Sequence, residues 1–327
     1  MTTLLTGATG FVGAAVARTL LARGHDVRVL VRPRGNRANI AGLAVIPMEG
    51  DLTDPASLSR ACQGCRYVLH VAADYRLWVP DPASMLRANV DGTVALLRAA
   101  RQAGVEKIVY CSSVAALGLT KDGTPADETT PVDPARIAGI YKQSKYRAEQ
   151  AVLGLVRDEG VPVVIVNPST PIGPRDIKPT PTGKMIRDAA CGRMPAYVDT
   201  GLNVVHVDDV AEGHVLALER GRVGEKYILG GEDLLLREIF AMAAAAAGRA
   251  PPRLALPIAP LIPVAVMCEF LAQFGIEPVV TRDTLAMARK KMFFSSAKAR
   301  GELGYAPRPA EQAIADAVAW FGLARAA

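Results

Sequence analysis

Thr6-Gly7-Ala8-Thr9-Gly10-Phe11-Val12-Gly13 is the stretch that decides the fold of this chain. It follows Thr2-Thr3-Leu4-Leu5, which is long enough for one buried strand, and it leads into Phe11–Ala22, which reads as a helix. A glycine loop between a first strand and a first helix is a site for a diphosphate. Gly7 permits the tight turn, Gly10 lets phosphates approach the backbone, and Gly13 lets the helix pack close to the strand. Thr9, Phe11 and Val12 complete the loop. The helix N-terminus directs free N–H groups and the positive end of its dipole at the anion. The chain is expected to hold a dinucleotide.

Which dinucleotide follows from the end of the second strand. His25–Val31 alternates and ends at Arg32-Pro33-Arg34, with Arg37 close behind. Where a dinucleotide lacks a 2′-phosphate, an acidic residue about 20 residues past the glycines usually takes the ribose hydroxyls. Here that position carries Arg32. Guanidinium groups are planar, permanently charged and able to bind phosphate bidentately. The expectation is NADP(H) in preference to NAD(H), with Arg32 and Arg37 as candidate phosphate ligands.

The 327 residues are 50% apolar, enough for a large core in one large domain or two intimate ones. The net charge of +6 is spread along the chain and forms no basic stripe, so no nucleic-acid partner is expected. The first core strand begins at once, so no signal peptide is expected. Five cysteines, an odd number, point to a reduced, cytoplasmic setting. Cys62-Gln63-Gly64-Cys65 lacks the two further ligands that a zinc site needs, so it reads as a helix end and turn, and no metal is expected. Leu254–Cys268 is the longest apolar stretch, flanked by Arg253 and Glu269. It is too short to span a bilayer and is broken by Pro257, Pro260 and Pro263. It is expected to be a buried loop and helix. The alternative is an apolar surface that meets a lipid substrate or a membrane face.

Strands and helices alternate through the first half. After the first two units come a strand at Val45–Asp51, a helix at Pro55–Cys62, a strand at Tyr67–Val71 and a long helix at Met85–Ala103. A strand at Lys107–Cys111, a helix at Tyr141–Asp158 and a strand at Val163–Asn167 follow. Near-continuous apolar strands in such alternation predict an α/β fold of the Rossmann type: a doubly wound parallel sheet, with a smaller C-terminal substrate domain. Residues 1–170 are expected to form the dinucleotide-binding domain, with 201–224 returning to it. Residues 171–200 and 225–327 then form the substrate-binding domain.

Tyr141 and Lys145 share one face of a helix in Tyr141-Lys142-Gln143-Ser144-Lys145. A free tyrosine titrates near ~10, and a neighbouring ammonium favours phenolate, bringing the phenol towards a useful proton-transfer range. The strand Lys107–Cys111 leads into Ser112-Ser113 on the ligand side of the sheet. There the Ser113 hydroxyl can donate to a substrate oxygen and stabilise developing charge. Ser112 reads as a hydroxyl that satisfies backbone.

Taken together these features resemble the extended short-chain dehydrogenase/reductase family over nearly the whole chain. The resemblance takes in the glycine loop, Gly50-Asp51-Leu52, His70-Val71-Ala72-Ala73, Asn89-Val90-Asp91-Gly92-Thr93, Ser113, Tyr141, Lys145, Asn167-Pro168-Ser169 and the tail Ser295–Tyr305. It implies that Asp51 contacts the adenine with Leu52 beside it. It implies that Ala72, Ala73 and Asn89 border the cofactor, and that Pro168, Ser169 and Thr170 pass the nicotinamide. Asp74–Trp78 and Asn167–Pro181 are similar to the hopanoid-associated group, which is labelled sugar epimerase and stands close to dihydroflavonol 4-reductases.

Nucleotide-sugar epimerases of that family commonly carry a diphosphate-binding arginine just before the segment that here reads Asn203–Asp209; this chain has Leu202 there. Arg187, Arg193 or Arg289 are the available substitutes. The expected activity is therefore an NADP(H)-dependent carbonyl reductase or alcohol dehydrogenase, with Tyr141 as proton donor, Ser113 polarising the carbonyl and Lys145 holding the ribose. The runner-up is a nucleotide-sugar 4-epimerase. A third class, a non-catalytic NADP(H)-sensing protein, typically lacks the tyrosine and lysine found here. The substrate, a small or lipid-linked molecule, is expected under loops bearing Tyr75, Trp78, Lys178 and Tyr197. A homodimer and peripheral membrane contact complete the expected partners.

Overall fold

Seven parallel strands form the central sheet, in the order β3-β2-β1-β4-β5-β6-β10. The computed structural model describes residues 1–324 apart from 77, 78, 80, 138 and 273–279. The strands are β1 (Thr2–Thr6), β2 (Asp26–Val31), β3 (Val45–Glu49), β4 (Tyr67–His70), β5 (Lys107–Cys111), β6 (Val163–Pro168) and β10 (Lys226–Leu229). Strand order reverses between β1 and β4, so a crevice opens at their carboxyl ends, where ligands of open α/β sheets bind.

Helices cover both faces because the inner strands are apolar on both sides. One face carries α1 (Phe11–Ala22) and α7 (Val207–Arg220), with Leu20, Val29, Val164 and Val215 in their shared core. The other carries α2 (Pro55–Cys62), α4 (Gly92–Gln102) and α5 (Ile140–Glu159), packed through Leu58, Leu97, Ile108 and Val152. Each fully buried Leu, Ile or Val contributes roughly 1.5–3 kcal/mol, which makes these two layers the bulk of the stabilising interior. Cys62 and Cys65 are buried at the end of α2 and in the turn after it, and burial pushes the Cys62 thiol up to about 12.

The long helix expected from Met85 starts earlier, at α3 (Pro82–Leu86), and runs into α4 through a wider π turn at Arg87–Asp91. The extra residue carries Asn89 inward, where its amide accepts from Asp74 N at 2.7 Å and donates to Asp74 O at 2.8 Å and Ser144 Oγ at 3.0 Å.

A smaller sheet joins β7 (Thr170–Ile172), β9 (Gly201–His206) and β11 (Glu232–Leu235) in the order β11-β9-β7. Beside it pack α6 (Pro181–Ala190), α8 (Leu236–Ala246) and α12 (Ala310–Trp320) around Ile186, Ile239, Phe240 and Ile314. The pair β8 (Ala196–Tyr197) and β12 (Leu254–Ala255) lies apart. The chain continues through α9 (Leu261–Ala272), α10 (Arg282–Ala288) and α11 (Ala297–Leu303).

Three expectations are corrected here. The strand ending at His206 joins the smaller sheet, and only α7 returns to the large one. Residues from 225 were expected in the smaller unit, yet β10 pairs with β6 at the edge of the large sheet, and Ala299, Leu303 and Tyr305 pack into the large sheet's core. Tyr227 and Leu229 point into that same core, so a short apolar strand found its place by packing rather than by chain order. The third concerns α9, expected to be buried. Ala265 and Ala272 are buried, while Ile262, Val264, Val266, Met267, Phe270 and Leu271 are exposed.

Two buried histidines make the fold acid-sensitive. His70 sits between Thr6 Oγ1 at 2.7 Å and Thr93 Oγ1 at 2.9 Å, and the His214 Nδ1 lies 2.7 Å from Val210 O. Burial pushes His70 down to about 3 and His214 down to about 4. An unfolded histidine titrates near ~6.5, so below that pH the unfolded chain takes up protons that the fold refuses. The stability contributed by the neutral rings is present above ~6.5 and is lost on acidification, by about 2 kcal/mol per histidine between roughly pH 7 and pH 5. His214→Met, which does not titrate, is expected to shrink the loss between those pH values by about 2 kcal/mol in urea unfolding. An identical loss in the variant would clear His214 as a source.

Candidate active site

The site is built along the carboxyl edge of the large sheet. Gly7 has φ +78°, and a Cβ there would lie 2.6 Å from Ala72 N. A Cβ on Gly13 would lie 2.1 Å from Gly7 O. These two glycines are required by the protein's own packing. Gly10 differs: a Cβ there would meet only Gly7 O, at 3.3 Å. The space beside it is otherwise open, as the close approach of a diphosphate would require. The Phe11 side chain is buried in the core and Val12 packs against it, so both face the loop through backbone. Thr9 O accepts from Asn39 Nδ2 at 3.1 Å, which fixes the far side of the loop.

Arg32 stands exposed at the end of β2, close enough to help hold the Asp51 and Asp74 carboxyls low. Asp51 owes its lowered pKa first to the Thr53 backbone N–H at 2.9 Å, and its Oδ1 also accepts from Thr53 Oγ1 at 2.7 Å. Leu52 packs against Gly92. Arg37 is drawn to Glu49 at 2.9 Å. An exposed pair of that kind is worth roughly 0.2–1 kcal/mol, less than a charge-assisted phosphate contact, so it does not lock Arg37 away. The Ala72 N–H donates to Thr6 Oγ1 at 3.2 Å, and Ala73 follows on the same loop. The Asn89 amide is spent on Asp74 and Ser144, so this residue shapes the loop through its side chain.

Tyr141 lies in the first turn of α5 and Lys145 one turn on, both turned to the edge where β5 ends. Ser113 is extended, with φ −167°, and caps a short 3-10 turn, its Oγ accepting from Ala115 N at 3.1 Å. The same hydroxyl is turned to the Tyr141 phenol, where it favours ionisation. Burial outweighs it and pushes the phenol up to about 12. Lys145 was expected to pull the phenol down. Its buried Nζ instead donates to Cys111 O at 3.0 Å, and burial lowers its own pKa. Ser112 differs from expectation too, since its buried hydroxyl finds no backbone partner among the described residues.

One participant escaped the sequence reading. Glu149, on the buried face of α5 one turn beyond Lys145, is 1% exposed. Its Oε2 accepts from Asn167 Nδ2 at 2.7 Å, and Lys226 Nζ lies 3.6 Å from its Oε1. The same Asn167 Nδ2 donates to Ser113 O at 3.1 Å. Glu149 therefore reaches the Ser113 backbone through one amide, and its charge favours the ammonium form of Lys145. A carboxylate on the buried face of a helix already bearing Tyr141 and Lys145 was the available signal. At the end of β6, Pro168 closes the strand, Ser169 Oγ and Asn167 Oδ1 are buried without partners among the described residues, and Thr170 opens β7. Unspent polar atoms at this edge, with the open space at Gly10, fit a dinucleotide lying across the carboxyl ends.

Four residues were expected over the substrate. Tyr75 is exposed near Asp176, Lys178 is exposed, and Tyr197 packs against the core of the smaller unit. Trp78 lies outside the described residues.

Residues 3–230 match the model of the NAD dependent epimerase/dehydratase family. This chain belongs to that family. It is an NAD(P)-dependent enzyme of the extended short-chain dehydrogenase/reductase type and uses a nicotinamide cofactor. Among relatives, a putative dihydroflavonol 4-reductase of Synechocystis sp. is 45% identical over 322 residues, covering 97% of this chain and 93% of that protein. Sterol demethylase protein B of Methylococcus capsulatus is 35% identical over 324 residues, covering 98% of each. The crystal structure of gox2253 is similar with a TM-score of 0.89 and 64% identity, covering 98% of both chains.

Tyr141→Phe removes one oxygen and leaves the packing of α5 intact. Nicotinamide cofactor should bind to it as before, while turnover falls about a hundredfold or more. Cofactor titration by fluorescence beside initial rates checks this, and near-normal turnover would remove Tyr141 as the proton carrier.

Proposed function

We propose that this enzyme is an NADP(H)-dependent carbonyl reductase, running in reverse as an alcohol dehydrogenase, on a substrate with a polar reacting end and an apolar body. The observation that carries this reading is the state of β9. Leu202 is paired with Leu234 and bridged to Met292. The Asn203 Nδ2 donates to Asp233 Oδ1 at 2.7 Å and Phe294 O at 3.0 Å, and its Oδ1 accepts from Gly231 N at 2.8 Å. Where a nucleotide-sugar enzyme of this family places a diphosphate-binding arginine, this chain has an apolar residue and a spent amide. The names of the two relatives, a reductase and a protein of sterol demethylation, support a reductase acting on an apolar-bodied molecule. A hopanoid with a sugar-derived side chain fits that description.

The bound cofactor supplies or takes up the hydride. The chain's residues handle the oxygen. Ser113 Oγ donates to the substrate carbonyl and orients it towards Tyr141. The Tyr141 phenol, raised to about 12, is protonated across the neutral range and gives its proton to the new alkoxide. Lys145, fixed on Cys111 O and kept charged with help from Glu149, holds positive potential under that oxygen and offers remaining N–H groups to the ribose. Arg32, with Arg37 released from Glu49, takes the 2′-phosphate.

The decisive assay compares nucleotide-diphosphate sugars with lipid-linked and aromatic carbonyl compounds by NADPH oxidation. Consumption of NADPH with a carbonyl compound is expected. Epimerisation of a nucleotide sugar at micromolar concentration with no net cofactor consumption would replace this reading with a 4-epimerase.

Cofactor choice is tested separately. A charge-assisted contact is worth roughly 1.5–3 kcal/mol, so Arg32→Asp should weaken NADPH about ten- to a hundredfold and leave NADH nearly unchanged. Equal losses for the two cofactors would show that Arg32 does not read the phosphate.

A further inference from the structure

The outward face of α9 has the polarity of an interior. Leu261, Ala265, Cys268, Glu269 and Ala272 lie on the side turned to the protein, and of these only Ala265 and Ala272 are fully buried. Ile262, Pro263, Val264, Val266, Met267, Phe270 and Leu271 cover the remaining arc, and every one is exposed. Val264 is 51%, Met267 58% and Phe270 53% exposed. That arc carries no charged or hydrogen-bonding side chain. The helix's one charge, Glu269, is bound to Arg282 at 2.7 Å. A surface helix ordinarily puts such an arc inward.

The flanks are basic. Arg249 and Arg253 precede the helix, and Arg289, Lys290 and Lys291 follow α10, which packs beside it; all five are exposed. An apolar face in a segment bounded in sequence by cations offers the two attractions that hold a helix in the plane of an anionic bilayer surface: burial of apolar side chains among acyl chains, and attraction of Lys and Arg to anionic headgroups. At twelve residues α9 is too short to cross, and no helix among the described residues is long and apolar enough to do so.

We propose that the α9 face, with its basic flanks, docks this enzyme reversibly onto the surface of an anionic lipid bilayer. This goes beyond the reductase reading and does not depend on it.

The test is sedimentation of the whole protein with vesicles of phosphatidylcholine containing about a third phosphatidylglycerol, beside vesicles of phosphatidylcholine alone. Binding to the anionic vesicles is expected, weakened by salt. Met267→Gln/Leu271→Gln keeps helix-forming residues at two exposed positions and should cut that binding about tenfold or more. Arg253→Gln/Lys291→Gln should cut binding to anionic vesicles and lessen its salt dependence, since Arg249, Arg289 and Lys290 remain. Thermal melting of both variants confirms that they fold, and cofactor titration confirms that the site is intact. Failure of the wild-type protein to sediment with anionic vesicles overturns the proposal. So does binding unaffected by the Met267/Leu271 pair. A concentration-dependent dimer abolished by that pair, without vesicle binding, overturns it in favour of a second copy of this chain as the occupant. No outcome of this experiment bears on whether a carbonyl is reduced, so the two proposals stand or fall separately.

Discussion

The contact between Gly13 and the carbonyl of Gly7 governs the placement of everything else. With no side chain at either residue, the first turn of α1 comes within van der Waals distance of the end of β1, and β1 in turn comes against the loop after β4. That double contact sets the helix N-terminus directly above the carboxyl edge of the sheet, where its unpaired N–H groups face the crevice between β1 and β4. A single methyl group at Gly7 or Gly13 would have to displace backbone, because the atoms it meets belong to main chain. Gly10 is the informative contrast. A Cβ there would be tight against a single atom, the Gly7 carbonyl oxygen at 3.3 Å, and not wedged into backbone on several sides.

The same edge solves a harder electrostatic problem further along. Lys145 and Glu149 are both buried, one turn apart on α5. A buried charge left alone costs several kcal/mol, and removing one partner of a buried pair typically costs about 3–5 kcal/mol. The chain meets this with short, fixed contacts: the Cys111 carbonyl for the ammonium, and Asn167 with Lys226 for the carboxylate. Because Asn167 also holds the Ser113 carbonyl, the groups that would handle a substrate oxygen are tied to the charges beneath them. β10, which carries Lys226, is thereby part of the support for the site as well as the edge of the sheet.

What the sequence made legible follows the strength of its local signals. Phe11–Ala22, Pro55–Cys62 and Lys107–Cys111 could be bounded to the residue because glycine, proline or an abrupt apolar run marks each end. The order of strands followed from their alternation with helices. The same signals failed where tertiary packing overrode them. Lys226–Leu229 is only four residues long, and its pairing with β6 comes from Tyr227 and Leu229 filling the core. The π turn at Arg87–Asp91 leaves no mark on a 3.6-residue pattern, since its purpose is the inward swing of Asn89. Tyr141, Lys145 and Ser113 were legible as types at a spacing. The pull of Lys145 on the phenol, expected from that spacing, is not seen, because it depends on where a flexible ammonium finds its acceptor, and here the acceptor is a strand-end carbonyl. Glu149 was hidden for a similar reason: on a helix a carboxylate reads as solvated until the helix's buried face is known.

α9 shows the opposite failure, and its cause is instructive. An apolar run reads as core because burying it is the usual way to remove it from water. That inference requires the rest of the protein to offer a surface, and the interior of the smaller unit is already closed by α6, α8 and α12. The helix buries Ala265 and Ala272 against the packed protein, with Leu261 and Cys268 half-buried beside them. A polar substitution at Met267, 58% exposed, would carry a smaller packing penalty than one at the buried Phe240 or Ile314. Apolar residues kept at positions where the fold does not use them need another environment to lower their free energy. For the exposed apolar face of α9, the bilayer surface proposed above would offer that environment without asking the protein for a second interface of matching shape.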